Sequence, residues 1–232
     1  MIGTEHSAGL VFWGSLRSVD SQDYALGQKI EDILFSKNRA LINDWMRGQK
    51  SSEELNTFLS EQLQTSPERL WDIFLRDCKS MEFDNQLRKK IEQIKTRAHV
   101  VLVTGNMDCF TRYTVPALAL EKVFDKIINS SDLGYLKTEK EGETFLACVR
   151  EYDVQISQTF LIDDSVKTCE FFNSLGGKSY PVLKGKEDTL RFMEVLYQAT
   201  SNKSEDTIPA IDAALQIQEI RGQAAPENFK ID

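Results

Sequence analysis

An α/β fold, built on a parallel sheet flanked by helices and carrying an inserted helical module, is what the sequence predicts. Three observations point to it. From about residue 98 onward, short apolar and β-branched segments alternate with amphipathic helical ones, the rhythm of parallel strands joined by crossover helices. Between residues 23 and 97 that alternation is missing and the periodicity is helical throughout. Ahead of both stands a compact apolar run, Gly9-Leu10-Val11-Phe12-Trp13, bounded by Gly14 and polar residues as a buried strand is.

Each element has its own signal. Ser51-Ser52-Glu53-Glu54 has capping-box spacing and precedes Leu55, Phe58, Leu59 and Leu63 on one face. Ser66-Pro67-Glu68 supplies a cap and a first-turn proline ahead of Leu70, Trp71, Ile73, Phe74 and Leu75. Leu87, Ile91 and Ile94 mark a further helix over 85–95, so the module holds four or five helices, with its stripes serving as its own core. His99 to Val103 then reads as a strand buried on both faces. Ala117 to Val123 reads as a helix, Ile127-Ile128 as a short strand, and Glu143 to Tyr152 as a helix with Phe145, Leu146, Val149 and Tyr152 inward. Gln158 to Ile162 is the next strand, and Ser165 to Leu175 a helix closed by Gly176-Gly177. Tyr180 to Leu183 is the last strand and Glu187 to Gln198 the last helix. The division is therefore a core over 1–22 and 98–199, a helical cap over 23–97, and a linker and tail over 200–232, with an amphipathic stretch at Pro209 to Arg221.

Composition excludes several classes. The 232 residues suffice for a sizeable core. The formal charge of −8 argues against a nucleic-acid binder working by phosphate neutralisation. No apolar run reaches the length of a membrane span and no signal peptide is visible, so a cytoplasmic setting is expected. Cys78, Cys109, Cys148 and Cys169 form no CxxC pair and only His6 and His99 accompany them, so buried free thiols are expected rather than a zinc site or a disulfide framework.

Functional residues in parallel α/β sheets gather at the C-terminal ends of strands. Those ends supply Trp13-Gly14-Ser15, Thr104-Gly105-Asn106 and Asp163-Asp164, and Lys137 follows the third strand. A hydroxyl with free amides, a lysine and a carboxylate pair suit a phosphate and a hard cation such as Mg²⁺. Plainer readings stand beside this one. Asp163 and Asp164 also suit a helix N-terminus, Thr104 a helix beginning near Met107, Lys137 a solvated face, and Trp13 a core.

In these residues the sequence resembles the haloacid dehalogenase superfamily, mostly Mg²⁺-dependent phosphohydrolases, over roughly residues 9 to 198. Val101-Leu102-Val103-Thr104 resembles its second motif, Gly134 to Lys137 its third, and Phe160-Leu161-Ile162-Asp163-Asp164-Ser165 through Gly176 its fourth. The resemblance implies a Rossmann-like core with a helical cap. It also implies phosphate contacts from Thr104, Gly105, Asn106 and Lys137, with metal ligation by Asp163 and Asp164. Lys140 competes with Lys137, because Thr138-Glu139-Lys140 stands where the family continues Pro-Asp-Pro.

The first motif departs from the family. Its apolar strand is followed there by Asp-x-Asp, the nucleophile and the acid/base. Here Val11-Phe12 ahead and Val19-Asp20-Ser21 behind place Trp13 and Ser15 at those positions, and no Asp or Glu lies between His6 and Val19. An indole has no lone pair for attack, and a serine hydroxyl is a poor general acid. The lost carboxylate would also weaken Mg²⁺ binding. Three readings follow: a binding or regulatory protein with a small-molecule, phosphate or protein partner at the cap–core cleft; an active Mg²⁺-dependent phosphohydrolase with an unrecognised nucleophile such as Asp20; or an interaction protein working through its cap or C-terminal helix.

Overall fold

The computed structural model describes residues 2–4 and 24–201. Its five strands are β1 (Ile2–Thr4), β2 (Val101–Thr104), β3 (Lys126–Asn129), β4 (Phe160–Asp163) and β5 (Lys178–Pro181). They form one sheet in the order β3-β2-β1-β4-β5, and every pairing is parallel. The chain builds outward from β1 to β3, then crosses to the other side of β1 for β4 and β5. The C-terminal ends of β1 and β4 thus flank the point where the order reverses, where such sheets bind ligands. The run Gly9–Trp13, expected as the first strand, lies outside the described residues; Ile2–Thr4 holds the middle of the sheet.

Helices α1 (Tyr24–Glu31), α2 (Arg39–Met46), α3 (Ser52–Leu63) and α4 (Pro67–Lys79) make the cap, with a π-helical stretch at Asp32–Lys37. The α3 capping box is complete: Ser51 Oγ accepts from Glu54 N, and the Glu54 carboxylate accepts from Ser51 N. Ser66 caps α4 in the same way, accepting from Arg69 N, with Pro67 at the first helical position. Trp45, Leu55, Leu59, Leu70 and Phe74 form the cap's apolar centre, where Trp71 stacks on Phe74 at 5.2 Å. Met107 and Cys109, from the segment after β2, complete that cluster, so cap and core share one apolar seam.

The next helix, α5 (Asn85–Lys95), differs from expectation. Its Ile91 and Ile94 were expected to hold the cap together. Instead they pack with Leu102, Ile162, Phe192 and Met193 under the sheet. Two lysine–acid contacts, Lys90 to Glu194 and Lys95 to Asp125, fasten the helix to the core. Periodicity gives a helix its apolar face but not the neighbour that covers it.

Beyond β2, α6 (Val115–Ala117) and α7 (Leu120–Val123) replace the single helix expected over 117–123. Ala119 is left-handed (φ 49°), and its N–H closes onto Pro116 O, turning the chain so that Leu120 and Val123 enter the core. After α8 (Ser130–Leu133), helices α9 (Glu143–Glu151) and α10 (Val166–Ser174) cover one face through Phe145, Cys148 and Phe172. The other face is covered by α5 and α11 (Lys186–Ser201). Helix α11 runs into the stretch expected as a linker, and residues 202–232, Pro209 to Arg221 among them, lie outside the described residues.

All four cysteines are buried and free. No helix among the described residues is long and apolar enough to cross a membrane.

Candidate functional site

The sheet delivers its functional side chains at one end. Thr104 closes β2 in register with Thr4 of β1 and Asn129 of β3, and Asp163 closes β4 one residue beyond Ile162, the partner of Ile2. Thr104, Asn106, Asn129, Ser130, Lys137 and Asp163 are all buried. Such a concentration of buried polar groups requires partners, and the partners define the site.

Asn106 N donates to Asn129 Oδ1 at 3.1 Å and to Ser130 Oγ at 3.0 Å. Asn106 Oδ1 accepts from Met107 N at 3.0 Å, so Asn106 provides a side-chain bond to the segment that follows. Asn129 donates to Met107 O at 2.9 Å and to Thr111 Oγ1 at 3.0 Å. Ser130 Oγ donates to Met46 O at 2.7 Å, which ties the last residue of α2 in the cap to the end of β3. The sequence reading missed Asn129 and Ser130. Their signal was present: Asn129-Ser130 follows Ile127-Ile128 directly, at the C-terminal end of a strand.

Lys137 reaches the site through a turn. Gly134 ends α8 with φ at 81°, a left-handed conformation that glycine adopts without strain, and the chain then folds back. The Lys137 ammonium donates to Asp163 Oδ2 at 2.7 Å. Asp163 Oδ1 accepts from Ser165 N at 2.9 Å, while Ser165 caps α10 by accepting from Thr168 N. Lys140, the competing candidate, is exposed, with its ammonium 3.9 Å from the centre of the Tyr135 ring. Asp164 is half-buried beside Asp163, and Gly105 is buried beside Thr104. Trp13, Ser15 and Asp20 lie outside the described residues.

The cap closes over this end through polar contacts that sequence reasoning also missed. Asp108 Oδ1 accepts from Trp45 Nε1 at 2.7 Å and Ser52 Oγ at 2.6 Å, and Oδ2 accepts from Arg112 at 2.7 Å. Burial raises the Asp108 pKa, but the bonds from Ser52, Arg112 and Trp45 outweigh it and hold the carboxyl below its usual range. Arg47, just past α2, pairs with Glu139, whose carboxylate also accepts from Leu136 N at 2.9 Å. That bond from Arg47 keeps Glu139 ionised to lower pH than an ordinary glutamate and braces the turn bearing Lys137.

A hydroxyl and an amide from strand ends, with an ammonium brought in by the turn after α8, suit an oxyanion. A hard cation is less well served. Both oxygens of Asp163 are engaged, one by the Lys137 ammonium, and no group of three or more His, Cys, Asp or Glu among the described residues is placed to hold a metal. The described donor set does not fit Mg²⁺.

Thr104 and Asp163 stand on either side of β1, two strand spacings or about 10 Å apart.

No protein-family model matches the chain, and no curated protein does. Solved structures do. A HAD family enzyme of Bacteroides thetaiotaomicron, crystallised as a mutant with magnesium and inorganic phosphate, superposes with a TM-score of 0.56 at 16% identity, over 80% of this chain and 94% of that one. A predicted HAD-like hydrolase of Porphyromonas gingivalis gives 0.59 at 18% identity, over 84% and 96%. An L-2-haloacid dehalogenase gives 0.57 at 12% identity, over 81% and 85%. On sheet order, cap and these superpositions together, the chain has the haloacid dehalogenase fold.

Proposed function

We propose that this protein belongs among the HAD-like hydrolases by descent and binds a small phosphorylated molecule in its cap–core cleft without hydrolysing it, as a binding or regulatory protein. The observation that carries this reading is the buried Lys137–Asp163 pair at the reversal point of the sheet, 2.7 Å apart beneath a docked cap. An ammonium held there is a fixed positive charge in a low-dielectric site, suited to a phosphate oxygen. The bound phosphate of the Bacteroides enzyme supports the ligand class. Loss of hydrolysis rests on the absence of any carboxylate from His6 through Val19, where the resemblance puts the nucleophile and acid/base. Magnesium is not required in this reading, since the Lys137 ammonium already balances Asp163.

The test is turnover of para-nitrophenyl phosphate with Mg²⁺, wild type beside Asp163→Ala from identical purifications, together with thermal shift by inorganic phosphate. The reading expects equal background hydrolysis from both proteins. It also expects a phosphate-dependent rise in Tm for wild type, without Mg²⁺, that Lys137→Met removes. Turnover lost with Asp163 would overturn it in favour of an active phosphohydrolase, and absence of any phosphate effect would overturn the ligand class.

A further inference from the structure

Between Lys137 and α9 the backbone takes a strained path. Lys140 and Glu141 stand at φ 49° and 56°, and Gly142 follows at 80°. Successive residues other than glycine in the left-handed region are uncommon, because each brings its Cβ against a backbone oxygen. Immediately beyond, Thr144 is buried in the first turn of α9, and its hydroxyl has no hydrogen-bond partner. A buried hydroxyl left unpaired is a further penalty. Strain of this kind persists only where surrounding contacts impose it.

Contacts at both ends of the turn do so. At the far end Gly142 lies against Leu175, past the end of α10, where a Cβ would stand 2.5 Å from Cδ1. At the near end the cap grips the Glu139 carboxylate. Arg47 Nε donates to Oε2 at 3.2 Å and Nη2 to Oε1 at 2.5 Å, a two-pronged pairing in which guanidinium and carboxylate fix each other's orientation. Arg47 is itself held, since Nη1 donates to Asn43 O of α2 at 3.2 Å. Glu139 passes the constraint on: Oε2 accepts from Leu136 N at 2.9 Å, and Glu139 N donates to Leu136 O at 2.9 Å. Leu136 precedes Lys137, whose ammonium reaches Asp163. A chain of bonded groups thus runs from the end of α2 to the buried ammonium.

We propose that Arg47 is a positioning residue for Lys137: from the seated cap it holds the turn over 134–142 in its strained form through Glu139, and when the cap lifts the turn relaxes and the ammonium withdraws. Seating of the cap and placement of the lysine are then one equilibrium. An ordinary half-exposed ion pair would add a little stability and nothing more. The positioning stands on the turn alone, while its consequence for phosphate rests on the proposed function.

The test combines Arg47→Met, which keeps the aliphatic stem, with Glu141→Gly, which lets residue 141 stay left-handed without strain. Each single variant and the double variant are made in the full chain and read beside wild type by native-state hydrogen exchange. Arg47→Met should speed exchange of the Leu136 and Glu139 amides about tenfold or more, while amides of β2 and β4 keep their rates. Adding Glu141→Gly should restore most of that protection, because the turn no longer pushes against its tether. Arg47→Lys should restore only part, since an ammonium cannot match both carboxylate oxygens in a fork. Unchanged exchange in Arg47→Met, or a Glu141→Gly effect that is the same with and without Arg47, overturns the proposal. Should Arg47→Met fail to fold, Glu139→Gln takes its place, keeping an oxygen for Leu136 N while removing the charge that Arg47 grips. Inorganic phosphate is read in parallel by thermal shift, with binding weakened in Arg47→Met and regained in the double variant. A wild type that ignores phosphate while exchange follows the expected pattern overturns the ligand reading and supports the role of Arg47.

Discussion

The ammonium of Lys137 and the carboxylate of Asp163 meet at 2.7 Å with side-chain exposures of 2% and 0%. Neither charge is open to bulk water, and each is a close partner of the other. Removing one partner of such a pair leaves a buried charge uncompensated and costs about 3–5 kcal/mol, whereas an apolar pair of similar volume is often tolerated. Lys137→Met should therefore lower the urea midpoint sharply. The double variant Lys137→Met/Asp163→Leu should recover much of the loss, though not all, because Ser165 N then lacks its acceptor. A double-mutant cycle measures the coupling, and additive losses would show that the two charges are separately solvated.

Asp108 offers a pH-resolved counterpart at the cap seam. Its carboxylate accepts from Trp45, Ser52 and Arg112, but the Arg112 side chain is 41% exposed and screened by water. The Trp45 and Ser52 bonds therefore dominate, and Asp108→Asn should cost about 1–3 kcal/mol. Because the folded pKa lies below the unfolded value of about 3.9, the contribution is complete above that pH and is lost as pH falls through the folded value. The stability gap between wild type and Asp108→Asn should accordingly be constant near neutrality and shrink below about pH 4. A gap that stays constant into acid would show that the charge on Asp108 plays no part.

Much of this molecule was legible in the sequence because local signals and tertiary packing agree. The Ser51–Glu54 box, Ser66-Pro67 and Ser165 each cap the helix they announce. The β-branched run before Thr104 and the apolar run before Asp163 end where the site begins. What escaped are relationships between distant segments. Nothing local in Trp45, Ser52 or Arg112 says that one carboxylate, Asp108, will gather all three. Nothing in the Ile91 and Ile94 stripe says that it faces α11 rather than α4.

Thiol reactivity reads the same core from another side. Burial pushes the Cys169 thiol up to about 12 and raises Cys148, and burial followed by the neighbouring Cys78 raises Cys109. At about pH 8 a thiol of that pKa is thiolate in only about one molecule in 10⁴. The native protein should therefore be inert to an aromatic disulfide reagent over minutes, and all four cysteines should react in concentrated guanidinium. A fast-reacting thiol in the native state would show that the cap seam or the α9–α10 face opens readily.

The cap's seating on the core narrows to one glycine. Gly48, just past α2, has φ at 66°, and a Cβ there would stand 2.2 Å from the backbone oxygen of Ser131. That oxygen belongs to α8 and cannot move aside as a flexible side chain would. Next to it, Ser130 holds Met46 O, and Arg47 holds Glu139 on the turn that carries Lys137. Gly48→Ala therefore has two ways to relieve the clash: shift α8, which disturbs the end of β3, or lift the end of α2, which releases the cap. The second breaks fewer buried bonds. We expect a loss of about 1–3 kcal/mol from left-handed strain and lost contacts. Amides of α2 to α4 should exchange faster while those of β2 and β4 keep their protection relative to global unfolding. If the protein binds phosphate as proposed, that binding should weaken in the same variant although no proposed ligand contact is touched. Uniform loss of protection across cap and sheet would instead mean that the two unfold as a single unit.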